Sequence, residues 1–454
     1  MFNKMAYDTP EEILFGISKK KLRYGFGLEV GCGKVIPEIK YWPNRSAEED
    51  LSKTVEEYEK ITKDILVRAV DLGVYSLQLE TELSYTATLN PAVSEEIVFR
   101  QKNILEKFHK EHGVKLGLRV TVADIRGLKR IDREEAFTKM LETFEHVCKA
   151  GADVVSIESI GGKEVFDYSL IRGDFRGILF SLGVLAPRDM KSLWKEIVKI
   201  ARRHKVLPGG DTACGFANTA MKLAGGKYKK MMSHVAAAVI RAMSVPRSLV
   251  AYEEGATGPG KDCGYENVII KAITGYPMSL EGKTSASAHS SLVGNIVAAV
   301  CDLWSNEQVE NIRLFGGTGP QVFLEVLYYD TELLNKALEN GYAKIIRDLL
   351  IESDKYRDPQ ALILSPSVAW KIGLEIIGYS GDYYKQILRA SIKALQIIKN
   401  ESSKLKLDSK EKKYLVKLER ELAALPEDEE KLMDEALPYY SSKVSSFNPK
   451  DYGL

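Results

Sequence analysis

Three side chains that can bind a metal ion follow predicted strands in the middle of the sequence: Glu158, Cys214 and Cys263. Glu158 ends the run DVVSIE, Cys214 lies in the loop GGDTACGF, and Cys263 lies in the glycine-rich loop KDCGYEN. Long stretches of chain separate them, so they would come from different strand–helix units. The fold would therefore have to bring them together, because no local motif such as C-x-x-C does so.

Two thiolates and one carboxylate form a ligand set that suits zinc far better than magnesium or calcium. Three protein ligands leave the fourth tetrahedral position of zinc open for a substrate oxygen, which is typical of a catalytic site. Zinc with these three ligands carries a net negative charge, so it would be a weaker Lewis acid than zinc held by three neutral imidazoles. It would still polarise an alcohol and stabilise charge on a departing oxygen.

Burial is the simplest alternative for each of the five cysteines, because a free cysteine often packs as a small apolar side chain. We expect this of Cys148, in the helical run EHVCKAG, and of Cys301, in VAAVCDLW. Cys32, between two glycines, is ambiguous. For Cys214 and Cys263, burial, a redox pair and metal binding all stay open at this point.

The histidines are scattered singly along the chain. His109, His112 and His204 lie at predicted helix ends, where solvation or capping is expected, and no role is assigned to His234 or His289. The sequence contains no HExxH motif and no visible Ser-His-Asp arrangement. Motifs of hydrolases therefore add nothing to the functional prediction.

The segment GATGPGKD, residues 255–262, matches the phosphate-binding pattern G-x-x-x-x-G-K and then departs from it. Asp262 stands where a Ser or Thr hydroxyl would bind magnesium, and its carboxylate would repel phosphates. Pro259 removes one backbone N–H from the loop. A nucleotide-binding enzyme is thus an alternative that the residues disfavour, and the other glycine pairs are expected in loops at a barrel mouth.

The composition is that of an ordinary globular protein, with 454 residues, 45% of them hydrophobic and 28% charged. It excludes a disordered or fibrous chain. Lys and Arg total 64 and Asp and Glu total 63, so the net charge of +1 provides no broad field that would attract nucleic acid. We expect neither nucleic acid nor a membrane as a partner.

A cytoplasmic location is expected from the N-terminus and the cysteines. The first residues, MFNKMAYDTPEEILFG, fit neither a secretory signal nor a transit peptide, and five widely spaced cysteines argue against a disulfide framework. The most apolar runs, Val235–Ile240 and Ile296–Leu303, are interrupted by Arg241 and Asp302, so no membrane span is predicted.

Helical patterns and short β-rich runs alternate over residues 52–330, which is the sequence form of βα units. Helices are predicted at Leu51–Leu72, Val93–His112, Arg133–Ala150 and Pro187–His204. Strands are predicted at Tyr24–Val30, Val74–Leu79, Lys115–Val122, Asp153–Ile157, Gly177–Val184, Val206–Pro208, Leu249–Tyr252 and Asn311–Phe315. This number and spacing predict an α/β fold, a closed TIM (β/α)8 barrel, whose mouth would collect the three candidate ligands.

Three regions follow from this pattern. Residues 1–50 are predicted as an N-terminal extension, irregular or hairpin-forming, with the first barrel strand. Residues 51–353 are predicted as the (β/α)8 barrel that carries the zinc site. Residues 354–454 show charged amphipathic stretches, such as Tyr384–Lys399 and Ser409–Leu425, and are predicted as a C-terminal helical region.

Three segments together resemble a known family: VVSIESIGGKEVFDYSL (154–170), LPGGDTACGFANTAM (207–221) and GATGPGKDCGYENVIIKAITG (255–275). They are similar to the zinc-containing B subunit of methanol:corrinoid methyltransferase, and the likeness covers nearly the whole chain. The family pattern of one Glu and two Cys falls on Glu158, Cys214 and Cys263.

The resemblance implies an enzyme, a methanol:corrinoid protein Co-methyltransferase, with one zinc per chain held by Glu158, Cys214 and Cys263. It implies that the methyl group of methanol passes to the Co(I) corrinoid of a partner corrinoid protein, and that this chain carries no corrinoid itself. A homo-oligomer within a complex is implied as well. A proton for the leaving oxygen would come from a group near a strand end, and Glu80, Asp124, Asp211 and Tyr265 are unranked candidates.

Two alternatives keep the barrel but change its role. The same chemistry could use a different small methyl donor, because the shape of the pocket and not the zinc ligands selects the donor. Alternatively, the zinc could be structural in a non-catalytic barrel whose helical tail docks other proteins. A structural zinc would need a fourth protein ligand, whereas catalysis needs an open position.

Overall fold

The computed structural model describes residues 1–43, 50–225, 231–289, 291–306, 313–314 and 317–454. Over these residues, seven parallel strands form one curled sheet surrounded by helices. In order across the sheet, the strands are Leu207–Asp211, Val154–Ile157, Lys115–Val122, Ser76–Glu82, Ile36–Tyr41, Leu303–Ser305 and Ser279–Glu281.

The segment 257–262 stands between the two outer strands of this sheet. Thr257 N donates to Pro208 O at 2.9 Å on one side. On the other side, Gly260 N donates to Pro277 O at 2.9 Å, and Ser279 N donates to Gly260 O at 3.2 Å. The segment therefore takes the place of a sixth strand in chain order, and the predicted TIM-like α/β barrel is confirmed.

Arg119 explains why this sixth segment stays in place with few ladder bonds. Its fully buried guanidinium donates to the backbone oxygens of Pro259 and Gly260 at 3.0 and 3.2 Å. Its Nε lies 2.9 Å from Glu38 Oε1 on the first barrel strand. The barrel interior is thus charged on this side, where layers of branched apolar side chains are more usual.

Helices follow the strands and cover the sheet, and their ends carry the expected signals. Asp50 caps the helix Leu51–Asp71 through the N–H groups of Ser52 and Lys53, and Gly113 ends Pro91–His112 in the left-handed conformation. The remaining α-helices of the barrel region are Tyr85–Thr88, Arg133–Lys149, Lys163–Arg172, Phe175–Phe180, Ala186–His204, Thr219–Gly225, His234–Glu253, Asn267–Thr274, Lys283–Ala288, Gly294–Ala298, Gly319–Glu339 and Ala343–Asp354.

The chain after residue 354 is helical, as predicted from its amphipathic stretches. Its helices are Pro359–Leu364, Pro366–Ile377, Tyr383–Asn400, Ser409–Ala423 and Glu429–Lys443, and a short 3-10 helix follows at Pro449–Tyr452. No observation tests the division at residues 50 and 353, so these boundaries stay a prediction.

The helix His234–Glu253, called here the buried helix, is enclosed by the rest of the protein. It is long and apolar enough to cross a membrane, yet all of that apolar stretch is buried inside the protein. Tyr383–Asn400 packs along it. Glu411 caps its first turn, because its carboxylate accepts hydrogen bonds from Ser233 Oγ, His234 N and Val235 N at 2.7, 2.9 and 3.0 Å.

Four of the predicted barrel strands are not strands of the barrel sheet. Gly177–Val184 is helical, in Phe175–Phe180 and the π-helical turn Ser181–Leu185, and Leu249–Tyr252 belongs to the buried helix. Both runs are buried on all sides, so they show no helical periodicity. The other two errors concern the first and last strands of the barrel.

The first barrel strand is Ile36–Tyr41, whereas Tyr24–Val30 contributes to an antiparallel hairpin of Ile17–Tyr24 and Leu28–Cys32. The last barrel strand is Leu303–Ser305. Within the predicted strand 311–315, residues 313 and 314 pair instead with Gly317–Thr318, and the others lie outside the described residues.

Candidate metal centre

The three candidate ligands meet at the carboxyl ends of adjacent barrel segments. Glu158 follows the strand Val154–Ile157, and Cys214 begins the π-helical turn Cys214–Asn218 after the next strand. Cys263 follows the segment 257–262. One ligand atom from each of the three residues lies within 4.8 Å of the other two. The fold thus assembles the group of residues that the sequence predicted.

The donor atoms fit a zinc ion. Two sulfurs and a carboxylate oxygen are ordinary zinc ligands, and these three atoms form a group that could hold one metal ion. Among the described residues the group has three members, which is the ligand number of a catalytic zinc site. The residues therefore fit zinc with one position left for another ligand.

The contacts and charges within the group indicate which of its members would be protonated in the absence of a metal. Cys263 Sγ donates to Glu158 Oε1 at 2.6 Å. Burial and the neighbouring Cys214 raise the pKa of Cys263 well above its usual value. Burial opposes ionisation of Glu158, but Lys261 and Lys40 outweigh it and lower the pKa of that carboxyl. A metal ion would therefore displace protons from sulfur and not from the carboxylate.

Lys261 contacts the candidate ligand Glu158, and its side chain has no exposed surface. Its Nζ is 2.8 Å from Glu80 Oε1, 3.2 Å from Glu158 Oε1 and 2.5 Å from Asp262 Oδ1. Burial lowers the pKa of Lys261, but these carboxylates outweigh burial and hold it well above its usual value. A permanent cation therefore offsets part of the negative charge of the ligand set.

Lys40 supplies a second buried cation in the same group. Its Nζ is 3.1 Å from Asp262 Oδ2 and 2.7 Å from Glu281 Oε1. Ser305 Oγ also donates to Asp262 Oδ2, at 2.8 Å. Burial raises the pKa of Glu82, a neighbour of both lysines, to about 7. Acids and bases thus alternate around the site, and the two lysines offset part of the negative charge of the carboxylates.

These contacts also account for the GATGPGKD segment. Its Lys261 is wholly buried and surrounded by carboxylates, so it cannot reach a phosphate. Asp262 is likewise engaged by Lys261 and Lys40. The segment forms part of the barrel wall, and its lysine is directed inward. This agrees with the sequence, which disfavours nucleotide binding here.

Each of the four proton-donor candidates is engaged with another side chain. Asp124 pairs with Arg126 at 2.6 Å, and Asp211 pairs with Arg247 at 3.0 Å. Glu80 accepts from Lys261 and from Thr121 Oγ1, and Tyr265 Oη lies 3.4 Å from His289 Nδ1. None is assigned a catalytic role.

The remaining cysteines and histidines lie outside this group. Cys148 and Cys301 are buried, as expected, and burial raises the pKa of the Cys148 thiol to about 12. Cys32 Sγ is half-buried against Val30 O at 3.6 Å. His204 bonds Glu145, and His109 bonds Val114 O, at 2.7 and 2.8 Å.

Sequence reasoning missed Lys40, Lys261, Arg241 and Arg247, which surround the ligands. The available signal was a basic residue inside an otherwise apolar or glycine-lined run, as in SHVAAAVIRAMSVPRSLV. A fully buried charge is rare unless it is paired, so such a residue indicates a buried acidic partner. The sequence does not indicate which acidic residue that is.

Comparison with known proteins identifies the family. A family model described as MtaB, methanol-cobalamin methyltransferase B subunit, matches residues 1–453. The chain belongs to the MtaB family. This confirms the resemblance predicted from three sequence segments, and MtaB membership makes the chain an enzyme.

Two MtaB relatives are similar over their full length. A protein named methanol--corrinoid protein co-methyltransferase, from Methanosarcina barkeri (strain Fusaro / DSM 804), is 45% identical over 456 residues, which span 100% of this chain and 99% of the relative. The crystal structure of the methanol:cobalamin methyltransferase complex MtaBC from Methanosarcina barkeri contains a chain with a TM-score of 0.97 and 45% identity. That match covers 100% of this chain and 99% of the other.

Proposed function

We propose that this MtaB-family enzyme is zinc-dependent and transfers the methyl group of methanol to the Co(I) corrinoid of a partner protein. The observation that carries the proposal is the group of two thiols and one carboxylate, within 4.8 Å of one another, at the carboxyl ends of barrel segments. The names of the two relatives support methanol as the donor and a corrinoid protein as the acceptor.

The reaction breaks the C–O bond of methanol and forms a Co–C bond with the electron pair of Co(I). The oxygen keeps the C–O electron pair and takes up a proton, so water leaves. Hydroxide is a poor leaving group, and zinc, when bound, supplies the Lewis acidity that withdraws electron density from this oxygen. The chain must therefore hold zinc on one side of methanol and leave the methyl carbon open on the other.

Each residue of the site has a part in this arrangement. Glu158, Cys214 and Cys263 would hold the zinc, and their place at the strand ends leaves the barrel mouth as the direction from which a corrin ring approaches. Lys261 offsets part of the negative charge of the ligands. Without this cation, the anionic ligands would weaken the Lewis acidity that zinc supplies to the leaving oxygen. In-line placement of methanol supplies the remaining contribution.

A corrinoid protein is the proposed partner, because one relative is described as part of a complex. The corrinoid would belong to that partner. Self-association within such a complex and a cytoplasmic location remain part of the proposal.

An anaerobic spectroscopic assay tests the proposal. Zinc-loaded protein, Co(I) corrinoid protein and methanol are mixed, and the change from Co(I) to methyl-Co(III) is followed, with ethanol, methylamine and no donor as controls. We expect methylation that depends on methanol and on zinc and that is lost in Cys263→Ser. Methylation of equal rate in zinc-free protein would contradict zinc dependence, and a preference for methylamine would contradict the donor.

A further inference from the structure

Two arginines of the buried helix, Arg241 and Arg247, have no exposed surface and each pairs with one carboxylate. Arg247 Nη1 is 3.0 Å from Asp211 Oδ1, and Arg241 Nη1 is 2.9 Å from Glu266 Oε2. Taking an ion pair out of water costs about as much as the pairing returns, so stability alone does not account for two of them. Their other contacts lead to the metal ligands.

Arg247 holds the residue that follows Glu158. Its Nη2 donates to Ser159 O at 2.6 Å and to Ser159 Oγ at 2.7 Å. Ser159 N donates to Asp211 Oδ1 at 3.1 Å, so the arginine and its partner fix both backbone polar groups of Ser159. Asp211 ends the strand that leads to Cys214. One ion pair thus joins the Glu158 loop to the start of the Cys214 loop.

Arg241 joins the two cysteine loops in the same way. Its partner Glu266 accepts from Ala213 N, next to Cys214, at 2.7 Å. Arg241 Nη2 donates to Asn218 Oδ1 at 2.5 Å, and Asn218 Nδ2 donates to Cys263 O at 2.8 Å. The chain from Arg241 through Asn218 therefore ends on the backbone of a candidate ligand.

Aromatic contacts repeat this pattern. The Arg247 guanidinium lies 5.0 Å from the centroid of the Phe216 ring, and the Arg241 guanidinium lies 5.2 Å from that of Tyr265. Phe216 and Tyr265 each follow a candidate cysteine ligand by two residues. The two arginines are therefore bound both to the backbone and to the side chains beside the ligands.

We propose that Arg241 and Arg247 are positioning residues, which fix the three ligand loops relative to one another before the metal binds. The inference rests on the proposed zinc site. Its physical basis is that a site already in its binding geometry spends no further binding free energy on ordering its loops. Because both arginines come from one helix, a single element sets the distances among all three ligands.

Lys271 provides a matched control within the same barrel. It too is a buried cation, with Nζ 2.9 Å from Asp302 Oδ2, 2.9 Å from Leu14 O and 2.7 Å from Val300 O. None of its partners belongs to a ligand loop. Lys271→Met should therefore destabilise the fold without changing the affinity of the folded protein for zinc.

The test measures metal binding by the full-length chain. Zinc affinity is measured by competition with a chromophoric chelator, and the visible spectrum of the Co(II)-substituted protein reports the ligand geometry. The variants are Arg247→Met, Arg247→Lys and Asn218→Ala. The last leaves the Arg241–Glu266 pair in place and removes the link from Arg241 to Cys263 O, together with the contact of Asn218 Nδ2 with Cys214 Sγ at 3.5 Å.

We expect Arg247→Met and Asn218→Ala to bind zinc about 10- to 100-fold more weakly, with a changed Co(II) spectrum. Arg247→Lys should lie between them and the unaltered chain, because lysine keeps the charge but lacks the planar fork that reaches both Asp211 and Ser159.

Zinc affinity and a Co(II) spectrum like those of the unaltered chain, in Arg247→Met or Asn218→Ala, would overturn the inference. So would an equal loss of affinity in Lys271→Met. If Arg247→Met does not fold, Asn218→Ala and Arg247→Lys decide the question by the same two measurements. Failure of the unaltered chain to bind zinc stoichiometrically would instead contradict the proposed function itself.

Discussion

The Lys261 ammonium nitrogen lies 3.2 Å from Glu158 Oε1, in a position with no exposed lysine surface. The same nitrogen is 2.8 Å from Glu80 and 3.3 Å from Glu82. A single cation thus holds together acidic groups from two barrel strands or their ends, Ser76–Glu82 and Val154–Ile157. This relationship leads to the first prediction.

Lys261→Met should lower the free energy of unfolding of the metal-free protein by about 3 to 5 kcal/mol, because it leaves buried carboxylates without their cation. Urea unfolding, followed by circular dichroism, measures the change. Lys199→Met is the surface control: its partner Glu196 is 3.2 Å away in an exposed pair, so a change below about 0.5 kcal/mol is expected. Equal values for the two variants would show that Lys261 is not a structural cation.

Cys214→Ser and Cys263→Ser should each lose most bound zinc and lower turnover roughly 100-fold or more, because a serine hydroxyl is a poor replacement for a thiolate. Zinc content by atomic absorption and the methylation rate per folded molecule are the measurements. Cys301→Ser is the matched control, since its thiol is buried and outside the ligand group. Full zinc content together with full turnover in Cys263→Ser would rule out its role as a ligand.

Zinc binding should tighten as the pH rises. The pKa of Cys263 is raised well above its usual value by burial and by Cys214, and its thiol donates to Glu158 in the metal-free site. Because zinc binds the thiolate, each displaced proton makes the apparent affinity rise about tenfold per pH unit below the thiol pKa. Chelator competition at several pH values measures the slope. An affinity that does not change between pH 6 and 8 would contradict the displacement of thiol protons by zinc.

His289 should make the free energy of unfolding depend on pH. Burial, with Lys222, Arg241 and Lys40 nearby, lowers its pKa from 6.5 to about 3. The unfolded chain therefore binds a proton that the folded chain does not, so stability is fully present above pH 6.5 and is lost as the pH falls toward 3.

Replacement by Gln removes the titration at this position. Between pH 6 and 4, the unfolding free energy of the unaltered chain should fall more steeply than that of His289→Gln, by up to about 1.4 kcal/mol per pH unit. The two free energies are compared by urea unfolding at each pH. Parallel slopes would mean that His289 is protonated in the folded protein.

The barrel could be predicted from the sequence wherever a helix with one apolar face preceded a short β-rich run. The strand Ser76–Glu82 after the helix Leu51–Asp71 is an example. The first barrel strand, Ile36–Tyr41, was not recognised because it contains Pro37 and charged residues at 38 and 40. Those charges form ion pairs inside the barrel with residues far along the chain, and no local pattern indicates them.

The group of Glu158, Cys214 and Cys263 could be predicted because each follows a predicted strand or lies in a glycine-rich loop, and such loops meet at the mouth of a barrel. Cys263 was found although the strand assigned before it, Leu249–Tyr252, is part of the buried helix. The prediction for Cys263 depended on the glycine-rich loop KDCGYEN and not on the preceding strand. The arginines of the buried helix were not predictable as site residues, since their partners are distant in sequence and only packing brings them together.

The buried helix also constrains the order of events during synthesis of the chain. It leaves the ribosome long before Tyr383–Asn400, which covers it, and before Glu411, which caps it. Until then the face of the buried helix that Tyr383–Asn400 covers is open to water and to other nascent chains, and an exposed apolar surface is prone to aggregate or to bind chaperones. Because Arg241 and Arg247 lie on that helix, we expect the proposed metal site to reach its final geometry after Tyr383–Asn400 and Glu411 have packed against the helix.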